Sequence, residues 1–195
     1  MKPSRRGSSD VGPEDRAGFG VVETGSSTAR RKKRVPGATH GPHGPEALEE
    51  LSGHVLYEWR MWNWAAQQLN EKGEGLVGPG PSPERNALIE CYLLHLRNLI
   101  EFFRSPGQWE DDVVATDYLS EWGVGQYEST LTAAWEDLNQ RLIHITTARA
   151  DAESWPEVQR SWQAAHDAVV KLWWAFEGKL DPSTLEWFQR EQSAS

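Results

Sequence analysis

Residues 83–104 read PERNALIECYLLHLRNLIEFFR, and this stretch decides the fold. Apolar side chains recur at Leu88, Cys91/Tyr92, His95, Leu99 and Phe102, and again one position over at Ile89, Leu93, Leu96, Ile100 and Phe103. Spacings of three and four residues are those of an α-helix, and two adjoining stripes make it apolar over much of its circumference. A helix of that kind belongs in the middle of a helical assembly. Its start is marked by Ser82 as N-cap with Pro83 at the first helical position, where a missing N–H costs nothing. Ser105-Pro106-Gly107 marks its end.

Working outward, three more long helices are expected. The first runs from about Pro45 to Lys72 with the stripe Val55, Trp59, Trp62, Ala66, Leu69. The segment GEGLVGPGPSP that follows is a linker. After a connector with a short helix at Thr116–Trp122, a long helix is expected from about Gln126 to Arg149. Its core stripe is Leu131, Trp135, Leu138, Leu142, Ile145. The last long helix starts near Trp155-Pro156 and runs to about Gly178 with Val158, Trp162, Ala165, Val169, Leu172 and Phe176 inside. Asp181-Pro182 then opens a short terminal helix carrying Leu185, Trp187 and Phe188. Nothing alternates with period two for long enough to be a strand. The expectation is an all-α, four-helix up-and-down bundle with a short terminal helix and a disordered N-terminal tail.

The tail and the body differ in composition. Residues 1–44 hold nine Lys/Arg against four Asp/Glu, net +5, and are rich in Gly, Pro, Ser and Arg with no apolar periodicity. Residues 45–195 hold eleven against twenty-five, net −14, and contain all eleven Trp. The tail cannot bury enough surface to offset the entropy of ordering and reads as disordered. The body has enough for a core without metal or disulfide. Arg30-Arg31-Lys32-Lys33-Arg34 reads first as a solvated charge run and second as a nucleic-acid contact.

Four common motifs are absent: there is no HExxH, CxxC pair, Walker A loop or Gly-x-Gly-x-x-Gly. His40 and His43 have no further ligands beside them, and Glu110-Asp111-Asp112 lacks the spacing of a calcium loop. No metal and no cofactor are therefore expected. The lone Cys91 reads as a buried thiol, with His95 one turn away as its only basic neighbour. No window approaches the roughly 20 apolar residues of a membrane span, and no apolar run follows the basic start, so the expected compartment is the cytoplasm. Of Trp173-Trp174, adjacent on a helix, only one can face the core.

The distinctive polar groups sit mid-helix. Four of them interrupt Leu94-His95-Leu96-Arg97-Asn98-Leu99-Ile100-Glu101-Phe102-Phe103, where Arg97 and Glu101 are one turn apart. In Leu138-Asn139-Gln140-Arg141-Leu142-Ile143-His144, Arg141 follows Asp137 by one turn. On a uniform helical wheel His144 points roughly 160° from Leu142, away from the helix's own core face. Arg97, Asn98, Asn139, Arg141 and His144 are the candidate site residues. They read first as a buried polar network tying two helices together, and second as a catalytic site.

These two segments resemble those of HEPN-type helical proteins. The resemblance is closest to a bacterial branch with His-x-Arg-Asn-Leu-x-x-Phe-Phe, here His95–Phe103, followed by Asn-x-Arg-x-x-His, here Asn139–His144. It covers about residues 45–180 and implies a four-helix up-and-down bundle, usually dimeric. Active members are metal-independent ribonucleases of toxin or antiviral systems that act at a cleft between subunits. Their motif would place an arginine at position 137, 138 or 139 before His144, whereas this chain has Asp137, Leu138 and Asn139. Nor does a histidine stand at 102–104 after Arg97. Three functions are thus expected in order. The first is a non-enzymatic bundle that binds itself or a protein partner of antitoxin type. The second is a ribonuclease with RNA as substrate, and the third a nucleic-acid binder acting through the tail.

Overall fold

The computed structural model describes residues 32–34, 43–71, 82–143 and 155–189. The described residues are all-α. Helix α1 spans Pro45–Glu71, α2 Pro83–Arg104, the one-turn α3 Ala115–Tyr118, α4 Glu128–Leu138, α5 Trp155–Glu177 and α6 Pro182–Gln189. A 3₁₀ turn, Gly125–Tyr127, leads into α4, and a π-helical turn, Asn139–Ile143, extends it. The stretches 1–31, 35–42, 72–81, 144–154 and 190–195 lie outside the described residues. With them go His144, Ile145, His40, Arg30, Arg31 and the Gly/Pro linker.

Local signals place the helix ends. Ser82 Oγ accepts from the Arg85 amide with Pro83 at the first position, and Ser105 closes α2 with its amide on the Glu101 carbonyl. Asp181 caps α6, its carboxylate accepting from the amides of Ser183 and Thr184 and from both hydroxyls.

Side-chain pairs fix the directions. Glu58 meets His95 while Trp62 meets Tyr92, so α1 and α2 are antiparallel. Arg97 meets Asn139 and Arg104 meets Thr132, so α2 and α4 are antiparallel. Tyr92 meets His166 and Phe103 meets Trp173, so α5 runs with α2. The four longest elements therefore alternate in direction. The apolar stripes converge between them, with Trp62, Trp162, Trp173, Tyr92, Phe176 and Phe188 buried completely. Of the adjacent pair, Trp173 is 1% exposed and Trp174 62%.

Two expectations change. The long helix after the connector is not uniformly α. The π turn widens the spiral at Asn139–Ile143, so a wheel stepped at 100° loses its register there and the angle assigned to His144 no longer follows. The second change is at the tail. A featureless chain through residue 44 is not what Lys32–Arg34 form. Lys33 makes an antiparallel bridge with Trp109, the Arg34 amide donates to the Gln108 carbonyl and the Glu110 amide to that of Lys32. The Arg34 guanidinium grips both oxygens of Asp117 (2.9 and 2.8 Å) and donates to the Trp109 and Asp112 carbonyls. Its side chain is 13% exposed and that of Asp117 1%. Arginine 34 is thus not a solvated charge, because a nearly buried carboxylate needs a cation beside it.

Candidate functional site

The central polar cluster is built from α1, α2 and the π turn. One oxygen of Glu58 on α1 accepts from His95 Nδ1 (2.6 Å) and from Asn98 Nδ2 (2.9 Å). The carbonyl of Asn98 accepts from Arg97 (3.2 Å). Arg97 Nε donates to Asn139 Oδ1 (2.8 Å), and its Nη1 pairs with Glu101 (2.9 Å) one turn along α2. The chain of bonds therefore runs from His95 through Glu58, Asn98 and Arg97 to Asn139, across three elements.

Of the five residues expected here, Arg97, Asn98 and Asn139 come together. Arg141 is half-buried and lies beside Asp137. Burial pushes the Asp137 carboxyl above its ordinary value, and the nearby Arg141 guanidinium pulls it back. His144 lies outside the described residues. Sequence reasoning missed Glu58 altogether and counted His95 both in the apolar stripe and among the mid-helix polar groups, without a partner. The geometry shows why both belong: an imidazole nearly buried among apolar neighbours needs an acceptor, and Glu58 supplies it from the facing helix.

The seam between α2 and α4 is reinforced on the same side. The indole of Trp135 lies beneath two guanidinium groups, Arg97 at 5.8 Å and Arg104 at 5.2 Å from the ring centre. Arg104 also donates to Thr132 Oγ1 (3.0 Å). Beside the cluster, α1, α2 and the connector enclose a cleft of about 230 Å³ whose polar wall includes His54, Glu58, Asn98, Glu101 and Asp112.

Cys91 is half-buried next to this cluster. Burial raises its pKa and the Glu58 charge raises it further, the reverse of what activates a thiol. His95, the basic neighbour, has its Nδ1 engaged by Glu58. Among the described residues, no group of three or more His, Cys, Asp or Glu side chains is arranged to hold a metal ion. No helix among them is long and apolar enough to cross a membrane. No family model, curated protein or solved structure matches the chain.

Proposed function

We propose that this chain is a HEPN-like bundle that works without chemistry of its own, as a module that pairs with a second copy. The observation that carries this reading is the closure of the polar cluster. The Arg97 guanidinium is committed to Asn139, Asn98 and Glu101, and the Glu58 carboxylate to His95 and Asn98. Groups that satisfy one another in this way hold helices together and leave little to offer a substrate. Meanwhile Tyr57 and Trp64 stand exposed seven residues apart on α1, and Leu94 stands exposed on the antiparallel α2. Large apolar side chains on adjoining helices are the material of a protein contact.

The test joins two measurements on the purified chain. Sedimentation velocity is expected to show a dimer that Tyr57→Ser with Trp64→Ser converts to monomer, while labelled tRNA stays intact in chelator. A monomer at all attainable concentrations, or RNA cleavage abolished by Arg97→Gln, would overturn the reading.

One observation favours the ribonuclease as second reading. Asn139, which meets Arg97, stands on a π-helical turn, and such turns concentrate at functional sites. In that reading Arg97 would stabilise phosphate charge and His144 would take the ribose 2′-hydroxyl proton. The third reading, nucleic acid held by the basic run, has one cation fewer to work with because Arg34 is committed to Asp117.

A further inference from the structure

Lys32, Lys33 and Arg34 bond to one short stretch of chain, residues 108–117 between α2 and α4, and they do so as an extended peptide bonds to a receptor. The Arg34 amide donates to the Gln108 carbonyl (3.1 Å) and the Lys32 carbonyl accepts from the Glu110 amide (2.8 Å), with Lys33 bridged antiparallel to Trp109. Lys33 Nζ stands 5.8 Å from the centre of the Trp109 ring. This is recognition by strand addition: the main chain supplies adhesion and a pocket for one side chain supplies selectivity.

The pocket is built for a guanidinium. Asp117 takes the fork on both oxygens, and the Trp109 and Asp112 carbonyls accept further N–H groups. Gly107 has φ +72°, and a Cβ there would stand 2.5 Å from Arg34 Nε, so the backbone is shaped around the group. An ammonium has no planar fork to offer these acceptors. Glu110, Asp111 and Asp112 beside the pocket favour a basic segment over a neutral or acidic one.

The segment that fills the pocket contributes nothing to the apolar core, to which none of Lys32, Lys33 and Arg34 belongs. Its departure leaves one need unmet: the Asp117 side chain is 1% exposed and must have a cation. Such a seat changes occupants and does not stand empty. His43 Nε2 reaches the same Asp112 carbonyl as Arg34 (3.0 Å), so the chain is pinned at the seat at both points. Lys32–Arg34 therefore compete as a tethered ligand, at an effective concentration on the order of millimolar. We propose that residues 107–117 form a docking site for an arginine-bearing, extended basic segment of a partner protein, and that Lys32–Arg34 are a built-in competitor for it. The site uses none of the residues proposed above to pair two copies, so either reading can fail alone.

The probe is the blocked peptide Lys-Lys-Arg-Val, the sequence of residues 32–35, with Lys-Lys-Lys-Val as a control of equal charge. Both are titrated into full-length wild type, Arg34→Ala and Arg34→Lys, following the backbone amides of residues 108–117 by NMR. Arg34→Lys keeps a cation beside Asp117 and carries the test if the alanine variant does not fold. The arginine peptide is expected to bind the variants at least about tenfold more tightly than wild type, because a filled seat lowers the apparent affinity by the fraction that is open. The lysine peptide is expected to bind about tenfold more weakly than the arginine peptide, the loss of one charge-assisted hydrogen bond. The proposal is overturned if millimolar arginine peptide leaves these amides unmoved in the folded variants. It is equally overturned if the two peptides bind alike, which reports attraction to an acidic surface, or if wild type binds as tightly as the variants. A wild-type dimer that the peptide splits would replace the separate partner with a second copy, and so overturn the assignment.

Discussion

Glu58 holds two donors from the facing helix, His95 Nδ1 and Asn98 Nδ2, on a single oxygen. Replacing it with alanine strands both donors at a half-buried position. Hydrogen bonds to a charged group are each worth about 1.5–3 kcal/mol, and part of the loss is recovered by water entering the neighbouring cleft. Glu58→Ala is therefore expected to lower stability by about 2 kcal/mol in urea unfolding with an unchanged slope, and Glu58→Gln by less, because an amide oxygen still accepts. Equal losses for the two variants would show that the carboxylate, not the acceptor geometry, matters. The site was legible only in part. Arg97, Asn98 and Asn139 stand out because polar groups interrupt apolar runs. Glu58 sits between Tyr57 and Trp59 and looks like any surface acid, since nothing local tells a charge that faces a neighbouring helix from one that faces water.

At the scale of elements, the connector between α2 and α4 is held by a piece of chain far from it in sequence. Gly107 has φ +72°, and a Cβ there would come within 2.5 Å of Arg34 Nε. The glycine thus serves two purposes: it turns the backbone after α2 and it makes room for the guanidinium that neutralises Asp117. Asp117 in turn caps the first turn of α3 through the Val114 amide (3.0 Å). Ser-Pro-Gly was readable as a helix stop, but its role as a seat for Arg34 was not, because that contact spans more than seventy residues. The basic run looked solvated for the same reason. Arg34→Ala is expected to cost about 3 kcal/mol by leaving a buried carboxylate alone. Arg34→Lys should recover only part, since an ammonium cannot match the two-pronged contact. Gly107→Ala should cost more than the ~1 kcal/mol of a left-handed alanine, and much less once Arg34 is already alanine. A double-mutant cycle by thermal or urea unfolding reads this coupling, and additive losses would separate the two residues.

On the scale of the whole molecule, periodicity carried most of the fold. All six residues of the expected α5 stripe are buried, and the four longest elements alternate in direction as in an up-and-down arrangement of amphipathic helices. The π turn escaped detection because its single widened spiral leaves the apolar spacing before it intact. Charge is the other whole-molecule property, and it shapes the response to pH through groups that pull in opposite directions. His166, depressed by burial, contributes stability that is complete above its ordinary 6.5 and lost as pH falls through its lowered folded value. Asp137 and Glu177, both raised chiefly by burial, contribute stability present below their ordinary 3.8 and 4.5 and lost as pH rises through their raised folded values. Acidification from neutrality thus first meets the loss at His166, and only later the gain from the two carboxyls. Relief of repulsion in the acidic body acts throughout. Comparing wild type with His166→Gln isolates the first step, because the glutamine keeps a polar group beside Tyr92 but takes up no proton. The variant's melting temperature is expected to hold or rise as pH drops from 7 toward 5, while that of the wild type falls relative to it, with the gap opening below 6.5. Parallel curves would mean that His166 titrates as freely in the folded chain as in the unfolded one, and that burial does not hold the ring neutral.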